Sequence, residues 1–300
     1  MQTAPRFSVV VPTRGRPQLL RGCLEALAAQ TYPAERFEVI VVGDGSGASL
    51  AQDLGALRAR LNLTCFETEH GGPGQARNAG IARAGGELLA FTDDDCAPVA
   101  DWLERLAQPL AVDPEQIAGG PTRNALPGNL YTNASHVVFD YFFAQQNRDP
   151  ARPRFLSSNN LAASARGLRA IGGFDVRFTR AAAEDRELCA RCADLGLRLT
   201  YVPEAVVYHH RELSRSSFLL QQFHYGRGAR KLRHLRAERR QPPIGLEPLR
   251  FYLGLLLYPW KIERGARALQ LATLVAASQA VHGAGFCWEA LRGPRTLRGS

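Results

Sequence analysis

Lysine is absent before Lys231, and no uninterrupted apolar run of membrane-spanning length occurs in the sequence. Residues 1–7 are polar and lead straight into a strand-like segment, so no secretory signal is expected. Residues 251–260 are apolar but too few to cross a bilayer. Residues 268–287 are nearly enough, but Gln270, Ser278, Gln279 and His282 interrupt them, so a spanning helix is not expected. Close cysteine pairs are also scarce. Of six cysteines only Cys189 and Cys192 are near one another, and one C-x-x-C cannot complete a four-ligand zinc site without distant residues. With Leu188 and Leu195 around them they read as a buried helix face in a reducing cytoplasm. The Asn-x-Ser/Thr triplets at Asn62 and Asn133 carry no weight in that compartment. No internal repeat or low-complexity tract stands out.

What is present is a composition 45% hydrophobic and 22% charged, which is that of a globular protein and excludes a disordered chain. Three hundred residues suffice for one large α/β domain, alone or with a smaller appendage. The formal charge of +9 favours an anionic partner. Nucleic acid, a membrane face and a nucleoside diphosphate all fit that sign.

The first hundred residues alternate between strand and helix patterns. Residues 7–11, 37–42 and 87–92 are apolar runs expected as strands buried on both faces. Residues 17–29 place Leu19, Leu20, Cys23, Leu24 and Leu27 at helical spacing, with Pro17 suited to the first turn. Further helices are expected over 50–61 and from Pro73 to Gly85-Gly86. Strand–helix–strand repetition implies a parallel sheet whose ligand site lies beyond the carboxyl ends of its strands. Downstream, residues 101–110, 131–146 and 181–195 read as helices, and residues 116–121, 155–164 and 197–208 as extended. Past residue 214 the character changes. Residues 227–240 hold seven Arg or Lys against one Glu, and Pro242-Pro243 then breaks the chain. The tail fits either helices lying on anionic lipid or helices that complete a soluble fold or a dimer.

The most informative segment is Phe91-Thr92-Asp93-Asp94-Asp95-Cys96. Three consecutive carboxylates after a buried strand repel one another, so a positive group must sit among them. A hard divalent cation, Mn²⁺ or Mg²⁺, is the natural occupant and also binds diphosphate oxygens. Three weaker segments converge on the same sheet edge. Val41-Val42-Gly43-Asp44-Gly45-Ser46 supplies a carboxylate for a nucleobase or ribose. Val11-Pro12-Thr13-Arg14-Gly15-Arg16 offers backbone and cationic groups, and Gly71-Gly72-Pro73-Gly74-Gln75-Ala76-Arg77-Asn78 is a turn opening a helix. In the second half, Glu184-Asp185 stands in an acidic helix start. Asp185 is the candidate general base toward an acceptor hydroxyl, and Glu184 its orienting partner or an acceptor contact. In Val206-Val207-Tyr208-His209-His210 one imidazole is a candidate metal ligand.

These motifs, together with Gly172-Gly173-Phe174-Asp175, occur in the order seen in family 2 glycosyltransferases, which the chain resembles over roughly residues 5 to 215. The resemblance implies an α/β GT-A nucleotide-sugar-binding fold with a mostly parallel central sheet, followed by a C-terminal helical region. It implies a catalytic domain over residues 1–215, with a nucleotide half to about 100 and an acceptor half from 101, and a basic, amphipathic tail over 216–300. The implied reaction is transfer of a sugar, with inversion, from a nucleoside-diphosphate donor to a hydroxyl. A uridine diphosphate sugar is the default donor, and lipid-linked and polysaccharide acceptors are the candidates. By likeness Pro12, Thr13, Arg16, Asp44, Arg77, Asp93 and Asp94 bind the donor. Asp95 and His209 hold the metal, and Asp185 with Glu184 serves catalysis. One departure matters: the family commonly carries two aspartates where this chain has Gly43-Asp44.

Three other readings fare worse. Sugar-1-phosphate nucleotidyltransferases resemble one another in a lysine-containing loop after the first strand, where this chain has Thr13-Arg14-Gly15-Arg16. A non-catalytic binding protein of the same fold has no need of Asp95, Asp185 and His209 together. Nucleic acid is not an expected partner, because residues 227–240 carry no recognition motif and few stacking aromatics. The expected location is the cytoplasm, with the inner face of the cell membrane as the surface the tail can meet.

Overall fold

The computed structural model describes residues 6–45 and 54–292. Ser46, the first residues of the helix expected over 50–61, and the first five residues of the chain lie outside the described residues.

β1 (Phe7–Thr13) is buried at every position, and α1 (Pro17–Ala28) follows with Pro17 in its first turn and Leu20, Cys23, Leu24 and Leu27 as its buried stripe. Next come β2 (Phe37–Asp44), a single turn α2 (Gly55–Arg58), β3 (Leu63–Thr68), α3 (Pro73–Arg83) and β4 (Leu88–Phe91). The chain continues through β5 (Cys96–Pro98), α4 (Trp102–Val112), β6 (Ile117–Gly119) and β7 (Thr122–Asn124). After α5 (Leu130–Gln146) come β8 (Leu161–Ser164), α6 (Ala165–Ala170), α7 (Glu184–Asp194), β9 (Leu199–Tyr201) and β10 (Val207–His209). Four helices end the described chain: α8 (Arg215–Glu238), α9 (Leu249–Leu257), α10 (Pro259–Ile262) and α11 (Gly265–Arg292).

Seven strands form one sheet in the order β3-β2-β1-β4-β8-β6-β9. The first four pair in parallel, β8 runs against both its neighbours, and β6 and β9 are parallel again. The sheet is therefore mostly parallel, and its strands are apolar because helices cover both faces. Phe7, Val9, Val11, Val39 and Val41 pack with Leu24, Leu27, Trp102, Leu103 and Leu106 from α1 and α4. Each such buried side chain contributes on the order of 1.5–3 kcal/mol. A second sheet, β5-β10-β7, pairs β10 antiparallel to β5 and parallel to β7.

Two expected strands are shorter or broken. Residues 197–208 divide into β9 and β10, which belong to different sheets, with Pro203 in the intervening turn. Proline has no N–H to donate to a ladder, so the chain leaves one sheet there and enters the other. Residues 155–164 are extended but form a strand only from Leu161. Ahead of it the Asn160 backbone N–H turns back on Ser157 O, while the Asn160 side chain donates to Pro121 O at 3.0 Å and Ala205 O at 2.7 Å. Those side-chain bonds compete with ladder pairing. The helix expected from residue 181 starts at Glu184.

The chain splits into two compact units, Met1–Ala125 with Asn147–His210, and Leu126–Gln146 with Arg211–Ser300. The break thus falls inside the segment assigned from sequence to the acceptor half, and α5 belongs with the tail. In that second unit Ala134, Val137 and Tyr141 of α5 share a core with Phe218, Leu255, Leu271 and Val275. Ser214 caps α8 reciprocally with Ser217. Among the described residues no helix is long and apolar enough to cross a membrane.

Candidate functional site

The parallel strands β1, β2 and β4 deliver Thr13, Asp44 and the triplet Asp93-Asp94-Asp95 to one edge of the sheet. Val10 pairs with Phe91, so the turn after β1 runs beside the aspartates. Asp94 is fully buried and Asp95 is 3% exposed, while Asp93 keeps 26% of its side chain in solvent. Buried carboxylates need partners, and Arg16 meets two of them. Its Nη1 donates to Asp95 Oδ2 at 2.6 Å, its Nε to Asp94 Oδ2 at 3.1 Å, and its Nη2 also bonds Asp94. Thr13 Oγ1 donates to Asp94 Oδ2 at 2.6 Å. Burial still pushes the Asp94 carboxyl up to about 6, with Arg16 and Thr13 opposing the rise and Asp95 and Asp93 adding to it. Burial disfavours the Arg16 cation, but the three aspartates outweigh it and raise its pKa. Pro12, buried in β1 beside Val42, carries no donor of its own.

Asp95 is shared with the second sheet. The register of β10 on β5 sets His209 opposite Cys96, and His209 Nε2 lies 3.3 Å from Asp95 Oδ1. The donor atoms of Asp95, Cys96 and His209 all fall within 4.8 Å of one another. A carboxylate oxygen and an imidazole nitrogen at that separation could share one divalent ion. Of the two candidate histidines, His210 is exposed and offers its backbone N–H to Asp95 O at 2.7 Å. Cys96 was not foreseen as a donor. Its thiol is buried, burial raises its pKa well above the usual range, and Asn159 Nδ2 lies 3.6 Å from Sγ.

At the end of β2, Asp44 accepts from its own chain. Gly71 N–H and Gly72 N–H reach Oδ1 at 2.8 and 3.1 Å, and His70 Nδ1 lies 3.0 Å from Oδ2. Gly72 has φ +90°, and a Cβ there would stand 2.5 Å from Thr179 O, so the turn that aims these amides requires glycine. Gly43, the departure from the family pattern, leaves a niche on β2 that the Glu67 carboxylate enters. Neither His70 nor Glu67 was identified from sequence, because both act through register and a turn.

Arg77 joins the two halves of the first unit. Its guanidinium donates to Asp93 Oδ1 at 2.6 Å from Nη2 and to Glu184 Oε1 at 3.3 Å from Nη1, and it lies over the Phe174 ring at 5.3 Å. Asn78, the next residue of the motif, clamps Phe174 through both backbone groups at 2.8 Å. Glu184 Oε2 accepts from Ala182 N–H at 2.9 Å, and Ala183 between them takes φ +72°, an uncommon conformation for alanine. Asp185 follows, half-buried, accepting from Arg186 N–H at 2.8 Å. Burial raises the pKa of both acidic groups. The charge of Asp185 adds to the rise at Glu184, and Arg77 opposes it at both. The sheet edge therefore gathers Thr13, Arg16, Asp44, Arg77, the aspartate triplet, His209, Glu184 and Asp185 in one compact unit.

Residues 8–171 match the glycosyl transferase family 2 pattern, and residues 90–288 match glycosyl transferase family group 2. The chain is 29% identical over 238 residues to Glycosyltransferase AglE of Haloferax volcanii, covering 75% of this chain and 73% of that one. It is 27% identical over 277 residues to a pre-mycofactocin glycosyltransferase of Mycobacterium tuberculosis, covering 90% of this chain but only 55% of the relative. Among solved structures it is similar to the mannosyltransferase PcManGT from Pyrobaculum calidifontis, determined with GDP-Man and Mn²⁺. That likeness has TM-score 0.62 at 21% identity and covers 98% of this chain and 85% of the other. With the motif order, the sheet and a family match over more than half its length in agreement, the chain belongs to glycosyl transferase family 2 and has the GT-A fold.

Proposed function

We propose that the protein transfers a sugar from a nucleoside-diphosphate donor to an acceptor hydroxyl with inversion, using a divalent metal and Asp185 as general base. The observation that carries this reading is the bridge Asp93–Arg77–Glu184, with Nη2 at 2.6 Å and Nη1 at 3.3 Å from the two carboxylates. It ties the helix start bearing Asp185 to the strand end bearing the aspartates.

Each residue then has a task. Asp44 faces the base and ribose end of the donor, and Pro12 and Thr13 line the same edge. Asp93 and Asp94 face ribose and diphosphate, with Arg16 balancing the buried charge. Asp95 and His209 would hold Mn²⁺ or Mg²⁺, which when bound offsets charge on the leaving diphosphate. Asp185 takes the proton of the acceptor hydroxyl as its oxygen bonds to the anomeric carbon and the bond to the diphosphate breaks. Glu184, fixed by Arg77 and the Ala182 amide, orients Asp185. No covalent nucleophile is needed, and direct displacement inverts the centre.

The resemblance implies a uridine diphosphate sugar, and the PcManGT structure carries GDP-Man. Screening both nucleotide series with Mn²⁺ and Mg²⁺, followed by assignment of the product anomer by NMR, tests the reading. Binding without any transfer would favour a non-catalytic role.

The second unit is proposed to meet an anionic membrane face, with a lipid-linked or polysaccharide acceptor presented there. Supporting this are the basic α8 and the exposed Leu249, Leu253, Leu257, Trp260 and Ile262 on α9 and α10. The six free thiols fit a reducing cytoplasm.

A further inference from the structure

We infer that Cys96 is a third ligand beside Asp95 and His209, making this centre a site for a thiophilic divalent ion such as Zn²⁺; the inference rests on the metal-centre part of the reading above.

The antiparallel register of β10 on β5 sets His209 opposite Cys96, and directly opposed residues leave the same face of a sheet. Their donor atoms and one oxygen of Asp95 all lie within 4.8 Å of one another. Cys96 Sγ is 3.8 Å, and His209 Nε2 3.3 Å, from the same oxygen, Asp95 Oδ1. Tetrahedral Zn²⁺ at its usual bond lengths sets sulfur and oxygen roughly 3.6 Å apart, and nitrogen and oxygen roughly 3.3 Å apart. Both separations are therefore close to the edges of one coordination tetrahedron. Arg16 bonds the other oxygen, Oδ2, and so fixes the carboxylate without using the oxygen that faces sulfur and imidazole.

Asn159 prepares the sulfur. Thr122 Oγ1 donates to Asn159 Oδ1 at 2.8 Å, which turns Nδ2 toward Cys96 Sγ at 3.6 Å. An amide N–H aimed at sulfur steadies thiolate charge, as outer-shell donors do around metal ligands. Cys96 is 1% exposed, while His209 keeps 18% of its side chain in solvent and marks the side from which an ion enters. A coordinating thiol is deprotonated outright. The S–H bond breaks, the proton passes to buffer, a sulfur–metal bond forms, and no electron is transferred. Mn²⁺ and Mg²⁺ favour oxygen ligands, whereas a thiolate favours Zn²⁺. Zn²⁺ therefore competes here with the ion that supports transfer.

The test is titration of the nucleotide-free full chain with Co²⁺, the spectroscopic stand-in for Zn²⁺, under a phosphine reductant. Calorimetry reads occupancy, and near-ultraviolet absorbance reads a sulfur-to-cobalt charge-transfer band. The native protein is expected to bind Co²⁺ with that band and to lose it on addition of Zn²⁺. Cys96→Ser should abolish the band and weaken Zn²⁺ binding by roughly a hundredfold, the upper range for disturbing the shell around a metal. His209→Ala alters a partly exposed side chain and should weaken cobalt binding and the band together, which keeps the test decisive should serine at a buried position disturb folding. Occupancy of the native protein without the band overturns the role of Cys96. So does a band unchanged in either variant, as cobalt held by Cys189 and Cys192 would give. Failure of the native protein to bind Co²⁺, Zn²⁺ or Mn²⁺ overturns the metal centre of the proposed function itself.

Discussion

Arg77 Nη1 lies 3.3 Å from Glu184 Oε1, in a setting where the two side chains are 2% and 5% exposed. The pair spans 107 residues of sequence, and the same guanidinium bonds Asp93. It is both a structural bridge and a means of fixing the start of α7. Removing one partner of a buried pair typically costs about 3–5 kcal/mol. Arg77→Ala is expected toward the lower end, because Glu184 already has a raised pKa and can take up a proton. Glu184→Gln should cost less, since Arg77 keeps Asp93. Denaturant unfolding of the two variants checks the order; an Arg77→Ala protein as stable as the native one would show that the bridge contributes nothing.

Much of the first unit is legible in the amino-acid order. β1, β2 and β4 announce themselves as apolar runs, and α1 by its leucine spacing, because a parallel sheet buries both faces and a helix buries one. The aspartate triplet is legible as chemistry because carboxylates seldom end a buried strand without a cation. Pro203 marks the break between β9 and β10 in the sequence too, but the apolar residues on either side of it run on as in one strand. What sequence could not supply was distance. Nothing local to Arg77 says that it will meet Glu184, nothing in Gly43 says that Glu67 will fill its niche, and Asn78 clamps Phe174 only once α3 has packed. The grouping of α5 with the tail likewise depends on which core Tyr141 enters.

Metal removal should separate binding from fold. Asp95→Asn is expected to weaken Mn²⁺-supported nucleotide binding, and EDTA to abolish transfer while leaving the thermal midpoint of the nucleotide-free native protein little changed. Transfer that persists in EDTA would exclude Asp95 and His209 as ligands of an essential metal.

Acidification provides a further test. Burial raises the Asp185 carboxyl above the ordinary aspartate value of about 3.9. A general base works only when deprotonated, so below the raised pKa activity falls by about tenfold per pH unit. The acidic limb of kcat/KM is therefore expected above the range of a free aspartate. A profile that stays flat down to pH 4 would place the proton acceptor elsewhere.

The tail should bind vesicles containing phosphatidylserine, with each basic residue near the surface contributing on the order of 1 kcal/mol and salt weakening the attachment. Arg240→Glu with Arg250→Glu, both exposed, should reduce sedimentation with such vesicles. Leu253→Ser with Trp260→Ser should do the same without altering the salt dependence. Truncation is a poorer test, because Leu255, Leu271 and Val275 complete the core around α5. Equal binding to neutral and anionic vesicles would contradict a charge-led attachment.

The most direct measurement is made on Asp185. Asp185→Asn preserves shape and the amide bond from Arg186 but removes the proton acceptor. Donor affinity, read by titration with nucleotide and Mn²⁺, should change little. The turnover rate should fall by roughly 10²–10⁴, the usual contribution of general base catalysis, and the residual product should keep the inverted anomeric configuration. An Asp185→Asn enzyme with near-native turnover, or a product of retained configuration from the native enzyme, would contradict the mechanism.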